Sequence, residues 1–505
     1  MSATCASASR LAHPAAPACR FPPPARLAGQ RSGAILVLTA LLLVVLCAFV
    51  SFGLDVGYML LVRTQLQRAA DAASMAATDE LRQTGSTTSA RKAAYEIAHL
   101  NQAAGLPVSI DPEADLVFGR RVYNAAKNTW QFRPNEQPYD SVQARARRTK
   151  DSTDGSVRLF FAQAIGIDHF DSLASATATY LPRDIALAID LSGSMHYDSS
   201  IMREPERGRG AIDDSLKAIW LHLGSPKVGN LSNWNNLVSI SGTDLTTIKT
   251  ALQLDTTPYP YPVGNWNEYI DFVSGRSGSS AYRGHIVDRG YRYKYGPKTF
   301  VDYLQWIHSK YTDTPALASS PEQPITALKD AVEIMTDYLA SLNTEEWVAL
   351  CTYDDNSRTE IPLTSDLSSI STRMRQIGAG HYSRQTNIGG GIKQALAALT
   401  GPNARLQARK VMVVMTDGEA NRPSGNETSD KNYALQQAKY AADQGITIYT
   451  VTVGALADKA LMDEIAQIGS GFHYHVEGYD VAQYTADLQR VFVNISSNRP
   501  LVLTE

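Results

Sequence analysis

The sequence is poor in cysteine and nearly neutral in charge. Only four cysteines occur in 505 residues. They are Cys5, Cys19, Cys47 and Cys351. Cys47 lies in an apolar run, Cys351 lies in a predicted buried strand, and the other two precede the apolar run, so the sequence indicates neither a disulfide framework nor the ligand spacing of a zinc site. The net charge of −3 gives no electrostatic reason to expect a nucleic-acid partner.

Motifs of common hydrolases are also missing. Ser192 and Ser194 are not framed by a Gly-x-Ser-x-Gly elbow, and no histidine pair has the His-Glu-x-x-His spacing of a zinc protease. His473 and His475 alternate on one predicted strand, but without a third ligand they are interpreted as packed or surface histidines. We therefore do not predict an enzyme. The alternative is an envelope hydrolase whose catalytic groups lie in the long insertion described below.

The first 54 residues predict a membrane anchor. Residues 1–32 contain no acidic residue and are interpreted as a disordered basic tail. Its arginines are Arg10, Arg20, Arg26 and Arg31. Residues 33–54 carry no charge and are long enough to cross a bilayer as a helix. Because the arginines precede this span, we expect a cytoplasmic N-terminus and an extracytoplasmic chain from Asp55 onwards.

A cleaved signal sequence is the alternative for this apolar segment. The uncharged run is longer than the apolar part of a typical signal peptide, and no clear small-residue cleavage site follows it. The sequence therefore favours a retained single-pass anchor.

Two further regions separate the anchor from the second half of the chain. Residues 55–83 contain the run L-Q-R-A-A-D-A-A and predict a helix whose small side chains permit close approach of another helix. Residues 84–181 predict a small β-rich module, because short alternating runs follow one helix. The predicted helix covers residues 89–102, and the predicted strands cover residues 115–123, 129–132, 141–148, 156–161 and 172–180.

A cluster of oxygen side chains follows a predicted buried strand. Residues 184–195 read D-I-A-L-A-I-D-L-S-G-S-M, so a short apolar run ends in Asp190, Ser192 and Ser194. In an open parallel sheet, ligands bind at the carboxyl ends of the strands. Small, hard oxygen ligands at this edge suit a divalent cation such as Mg²⁺.

Two later segments supply matching features. Thr386 precedes a glycine-rich helix predicted at residues 388–399, and the apolar strand V-M-V-V-M-T ends in Asp417 and Gly418. Taken alone, an Asp-Gly strand end is usually just a turn. Helices and strands alternate across residues 182–497, which predicts an α/β fold with a doubly wound, mostly parallel sheet and helices on both faces.

A long insertion interrupts this region after its first strand. Residues 197–324 separate the first oxygen cluster from the helix predicted at Ile325–Ser341, and such a length predicts a subdomain rather than a loop. The insertion carries ten of the chain's 24 tyrosines and four of its six tryptophans. These aromatics either form a recognition surface or build the insertion's own core. Residues 498–505 suggest no role.

The three oxygen-bearing segments together resemble the von Willebrand factor A (VWA) domain. Its metal-ion-dependent adhesion site opens with D-x-S-x-S and is completed by a Thr and an Asp from later loops. The resemblance implies that Asp190, Ser192, Ser194, Thr386 and Asp417 bind Mg²⁺, or alternatively Mn²⁺ or Ca²⁺. It also implies that an acidic side chain of a protein partner supplies the last ligand.

The N-terminal region is similar to that of TadG-like proteins of the tight adherence (Tad, or Flp) pilus-assembly system. The similarity rests on G-A-I-L-V-L-T-A-L-L-L, on L-Q-R-A-A-D-A-A and on R-L-F-F-A-Q-A-I-G. It implies a single-pass protein of the bacterial cell membrane, working in pilus assembly or adhesion with pilus or envelope components. No Glu follows a Gly at the start of the apolar run, so a processed pilin is not expected.

Overall fold

The computed structural model describes residues 32–124, 129–197, 208–276, 280–342, 345–478, 480–497 and 501–504. The predicted tail therefore lies, up to residue 31, outside the described residues. The chain divides into two compact units. The first comprises Met1–Leu61 and Val157–Phe170, and the second comprises Val62–Ser156 and Asp171–Glu505.

The first unit combines the apolar helix with a short hairpin. The helix spans Ser32–Thr84, and its residues up to Leu61 belong to this unit. Its apolar part has a mean hydropathy of 3.0 over an 18-residue window and is exposed, which makes it a candidate membrane span. The hairpin pairs Val157–Arg158 with His169–Phe170. The strand predicted at residues 156–161 is therefore too long, because the chain turns into a short 3-10 helix, Ala162–Ile165.

The β-rich module lies in the second unit. A short hairpin, Gln102–Ala103 with Leu106–Pro107, follows the helix Thr87–His99. Five strands form its antiparallel sheet, and their order is Leu501–Leu503, Ser172–Tyr180, Ser141–Arg148, Leu116–Asn124 and Thr129–Pro134. The edge strand is a finding that the sequence does not suggest. It comes from the C-terminal tail, where Leu501 pairs with Tyr180 and Leu503 with Ala178.

The alanine-rich part of the long helix packs inside the second unit. Ala69, Ala70, Ala73 and Ala77 are fully buried. Thr78 Oγ1 donates a hydrogen bond of 3.2 Å to the carbonyl of Ala178. The small side chains thus let the helix approach a strand of its own module, where the sequence predicted room for another helix.

The main sheet has six strands, of which one is antiparallel. In spatial order they are Ser357–Thr364, Trp347–Tyr353, Arg183–Asp190, Arg409–Thr416, Thr447–Val453 and His473–Val476. Ser357–Thr364 is the antiparallel edge. The strand order reverses between Arg183–Asp190 and Arg409–Thr416, so a crevice is expected at their carboxyl ends.

Helices cover both faces of this sheet, which confirms the predicted doubly wound α/β fold. Successive residues of Arg183–Asp190 point to opposite faces: Ile185 and Leu187 join one buried apolar cluster, and Ala186 and Ala188 join another. The helices on the first face are Ile325–Ser341, Leu367–Gln376 and Val481–Ser497. Those on the second face are Ile388–Thr400, Glu427–Asp443 and Lys459–Ile468.

In its described residues, the insertion's secondary structure is mostly helical. Its described helices are Gly208–His222, Leu245–Leu252, Trp266–Ser274, Ser280–Asp288 and Pro297–Ile307. Two of them, Trp266–Ser274 and Ser280–Asp288, fall in a stretch for which no helix was predicted. The insertion's buried side chains belong to the same apolar cluster as Ile185 and Leu187. The insertion therefore extends one face of the main sheet.

The insertion's aromatic side chains mostly build this shared core. Trp220, Trp234, Trp266 and Trp306 are each less than 10% exposed. The Phe300 ring lies 5.2 Å from that of Trp266 and 5.4 Å from that of Tyr269, centroid to centroid. Of the two alternatives left open by the sequence, the structure thus favours the core over a recognition surface.

Candidate metal centre

The first oxygen cluster forms where the central strand ends. Asp190 closes the strand Arg183–Asp190, and a 3-10 turn, Gly193–His196, follows. The Ser192 N–H donates a hydrogen bond of 2.8 Å to Asp190 Oδ1. The hydroxyl oxygens of Ser192 and Ser194 lie 3.0 Å apart. Asp190 and Ser192 are fully buried. The strand end therefore holds three of the predicted residues in one bonded group.

Asp417 joins this group from the neighbouring strand. It follows Arg409–Thr416, which pairs in parallel with Arg183–Asp190. The Ser194 hydroxyl donates a hydrogen bond of 2.6 Å to Asp417 Oδ1. The parallel register thus brings the carboxylates of Asp190 and Asp417 to the same edge of the sheet.

Thr386 faces the same edge from the loop before the helix Ile388–Thr400. Its N–H donates a hydrogen bond of 2.7 Å to Asn421 Oδ1, and this bond fixes the loop. A Cβ added at Gly418 would lie 3.5 Å from Ser194 Oγ and 3.7 Å from Thr386 Oγ1. The two hydroxyls therefore border the same small space, which Gly418 leaves open.

The carboxylates of Asp190 and Asp417 repel each other when both are charged. Burial first, and then the charge of Asp417, raise the pKa of Asp190 to about 8. The Thr416 hydroxyl donates a hydrogen bond of 2.7 Å to Asp190 Oδ2, which partly offsets the rise in the pKa of Asp190. Thr416 was not predicted, although its position directly before Asp417 at a strand end was a usable signal.

The donor set fits a hard divalent cation. Two carboxylates and three hydroxyls are oxygen ligands of the kind that Mg²⁺ prefers, and a cation between the carboxylates would relieve their repulsion. Among the described residues, no group of three or more His, Cys, Asp or Glu could hold a metal ion. In the described part of the chain, a metal site would therefore depend on the hydroxyls as well.

A cleft of about 640 Å³ opens beside this edge. Its lining includes Ser194, Thr386 and Asp417, together with Tyr197 and Trp306 from the insertion. The rings of Tyr197 and Trp306 lie 4.5 Å apart. Thus the described part of the insertion forms a wall of the cleft. Arg384 also lines the cleft, and sequence reasoning missed it because no local pattern ties it to the metal loops.

Asp354 and Asp355, which follow the strand Trp347–Tyr353, and the two histidines His473 and His475 have structural partners. Asp354 accepts two hydrogen bonds, of 2.8 and 2.9 Å, from Arg358 Nη2. Asp355 Oδ1 accepts a hydrogen bond of 2.8 Å from the Gln385 N–H. His473 and His475 lie on one face, as predicted, and both contact Thr452 Oγ1, at 2.8 and 2.9 Å. These contacts account for all four residues without a ligand.

The fold and this site define a protein with a VWA domain. Residues 318–490 match the model of the von Willebrand factor type A domain. Residues 33–80 match the Flp pilus-assembly TadE/G-like model, and residues 72–178 match the Tad-like Flp pilus-assembly model. The chain therefore combines a Tad-type N-terminal region with a VWA domain.

The matched VWA segment begins after the insertion, so Asp190, Ser192 and Ser194 lie outside it. Their place in the domain follows from strand pairing instead. Arg183–Asp190 pairs in parallel with Trp347–Tyr353 and with Arg409–Thr416, both inside the matched segment.

Several solved structures are similar to this chain at low identity. The PilB minor pilin from Streptococcus sanguinis is 11% identical, covering 77% of this chain and 90% of that one, with a TM-score of 0.32. The vWF domain of the type V pili tip protein Mfa5 from Porphyromonas gingivalis is 12% identical, covering 64% and 98%, with a TM-score of 0.30. BatB from Bacteroides thetaiotaomicron is 20% identical, covering 35% and 90%, with a TM-score of 0.27. No curated protein matches the chain.

Proposed function

We propose that this protein is a membrane-anchored, extracytoplasmic VWA protein that binds a pilus or envelope protein in Tad/Flp-type pilus assembly or adhesion. One observation carries the proposal: Asp190, Ser192, Ser194, Thr386 and Asp417 converge beside an open cleft, in a chain whose N-terminal region is of the Tad type.

The chemistry of the donor set supports binding that depends on a metal. Three hydroxyls and two carboxylates would hold Mg²⁺, Mn²⁺ or Ca²⁺. The bound cation would supply an open coordination position for an acidic side chain of the partner. The residues of this chain position those oxygens in advance, because each sits at a strand end or helix start that the sheet fixes.

The hydrolase alternative has no comparable observation in its favour. In the insertion, His285 Nε2 lies 2.9 Å from both carboxylate oxygens of Asp302. Arg289 Nη1 donates a hydrogen bond of 2.9 Å to Oδ1 of the same carboxylate. His285 and Asp302 are buried, so this group is interpreted as a salt-bridged part of the core. We therefore propose a binding role rather than a catalytic one.

The function is tested by piliation. In a strain that lacks this protein, we expect full-length Thr386→Ala to restore far fewer surface pili than wild type, because it removes one hydroxyl ligand. Its N–H bond to Asn421 Oδ1 should persist. Thr386→Ser keeps the hydroxyl and should restore piliation, and Ser365→Ala, at an exposed serine outside the site, should match wild type. Normal piliation with Thr386→Ala would contradict the proposal.

The orientation is tested separately by protease accessibility. The arginines before residue 33 should keep the N-terminus in the cytoplasm, so protease added to intact spheroplasts should degrade the VWA domain. The same treatment should spare a cytoplasmic marker protein. Full protection of the VWA domain, with degradation only after lysis, would reverse the proposed topology.

A further inference from the structure

Four large apolar side chains are exposed at the end of the hairpin in the first unit. Phe160, Phe161, Ile165 and Ile167 are 62%, 46%, 76% and 49% exposed. We call residues 160–167 the apolar tip. The stem below it is short and has polar ends, since Arg158 pairs with His169. Clustered exposed apolar side chains on a protein surface mark a contact site.

The apolar tip is tied to the end of the candidate membrane span. Asp55 is the first charged residue after the uncharged segment 33–54. Its carboxylate accepts hydrogen bonds from the N–H groups of Phe160, at 3.0 Å, Phe161, at 3.0 Å, and Ala162, at 2.7 Å. Tyr58, one helical turn further on, places its ring 4.7 Å from that of Phe160.

These contacts fix the depth of the apolar tip relative to the span. At 1.5 Å per residue, residues 33–54 measure roughly 33 Å as a helix, close to the ~30 Å thickness of a bilayer's hydrocarbon core. Asp55 therefore lies at the boundary between acyl chains and headgroups. The tip, which is hydrogen-bonded to Asp55, lies at the same level, where aromatic side chains are favoured.

The polar groups of the hairpin are compatible with this position. The Asp55 carboxylate is only 3% exposed, and three N–H donors satisfy it, so it tolerates apolar surroundings. Arg158 is exposed on the stem next to the apolar tip, where its guanidinium can contact lipid phosphates.

We propose that the apolar tip inserts into the headgroup region of the leaflet where the span ends, and that Asp55 is the positioning residue that sets its depth. The occupant of this surface is lipid. The proposal rests on the membrane anchor proposed above, and it adds a second membrane contact beside the helix.

The test measures depth in vesicles of phosphatidylethanolamine and phosphatidylglycerol that contain the full-length protein. Cys5, Cys19 and Cys47 are replaced, and the buried Cys351 is kept. An environment-sensitive fluorophore is then attached to one introduced cysteine: Ile165→Cys in the tip, Leu43→Cys in the span, or Leu406→Cys, a residue 91% exposed in the second unit. Lipids with a nitroxide near the headgroup or deep in the acyl chain act as quenchers.

We expect the label at position 165 to lose fluorescence mainly to the shallow nitroxide, the label at 43 mainly to the deep one, and the label at 406 to neither. Quenching at 43 without quenching at 165 would overturn the tip proposal while leaving the anchor intact. Such a result would assign the exposed face to a protein partner. If neither position is quenched, the proposed anchor itself is wrong, and the tip proposal fails with it.

The role of Asp55 is tested in the same vesicles. Asp55→Ala removes the acceptor for three N–H groups, so quenching at position 165 by the shallow nitroxide should fall while quenching at 43 persists. Glu80→Ala removes a carboxylate from a later turn of the same helix and should change neither signal. An unchanged depth at 165 in Asp55→Ala would show that Asp55 does not position the tip.

Discussion

Asp190→Asn should abolish stabilisation by Mg²⁺ without weakening the metal-free protein. The amide can still accept from the Ser192 N–H and can pair with the Thr416 hydroxyl, so the local bonds have replacements. Asp190 has a pKa raised from 3.8 to about 8 in the folded protein. Its favourable contribution is thus present below the unfolded pKa and is lost as the pH rises towards 8.

Removing that carboxylate should leave the thermal midpoint of the metal-free protein at pH 8 equal to or above that of wild type. Wild type should gain about 2.7 kcal/mol when Mg²⁺ is present at about a hundred times its Kd, and Asp190→Asn should gain nothing. Thermal unfolding of the detergent-solubilised chain, with Mg²⁺ or with EDTA, measures both effects. Asp443→Asn, at an exposed carboxylate outside the site, is the matched control. An equal Mg²⁺ shift in Asp190→Asn would place the cation elsewhere.

Deleting the insertion should prevent folding of the VWA domain. Residues 197–324 share one apolar cluster with Ile185, Leu187 and Ile189 of the central strand. A short Gly-Ser linker in their place would expose the side chains of that cluster that the insertion covers, and each large apolar side chain uncovered costs roughly 1.5–3 kcal/mol. Uncovering about five such side chains would be enough to offset the usual stability of a domain, about 5–15 kcal/mol. We therefore expect no cooperative unfolding transition.

Point substitutions separate this explanation from a trivial failure to fold. Phe300 is fully buried, and Phe300→Ala should lower the free energy of unfolding by about 3–5 kcal/mol. Leu221 is 56% exposed in the same insertion, and Leu221→Ala should stay within about 0.5 kcal/mol of wild type. Denaturant titrations of both variants give these values. If the deletion protein has the same denaturant midpoint as wild type, the result would instead support the separate subdomain that the sequence predicts.

Periodicity was informative where one pattern dominates. The helix Ile325–Ser341 has the predicted limits, because uniform apolar spacing leaves no competing structure. It failed at Trp266–Ser274, where flanking Tyr, Gly and Pro residues obscure the helix. The Asn265 cap, which accepts from the N–H groups of Asn267 and Glu268, was the available local signal.

Contacts between distant segments could not be predicted. The pairing of Leu501–Leu503 with Ser172–Tyr180 and the merging of the insertion with the sheet core depend on tertiary packing alone. At the site, the order of the three motifs was enough to group Asp190, Ser194 and Asp417. That Arg384 would line the cleft beside them has no counterpart in local sequence.

The central claim is that the five oxygen-bearing residues form one cation site, and its most direct test is crystallography of the protein soaked in Mn²⁺. The anomalous signal of Mn²⁺ locates the ion independently of the protein atoms. We predict a single strong anomalous peak among Asp190, Ser192, Ser194, Thr386 and Asp417, and its loss in Asp190→Asn. A saturating soak that leaves this position without a peak, or a peak that persists there in Asp190→Asn, would contradict the account.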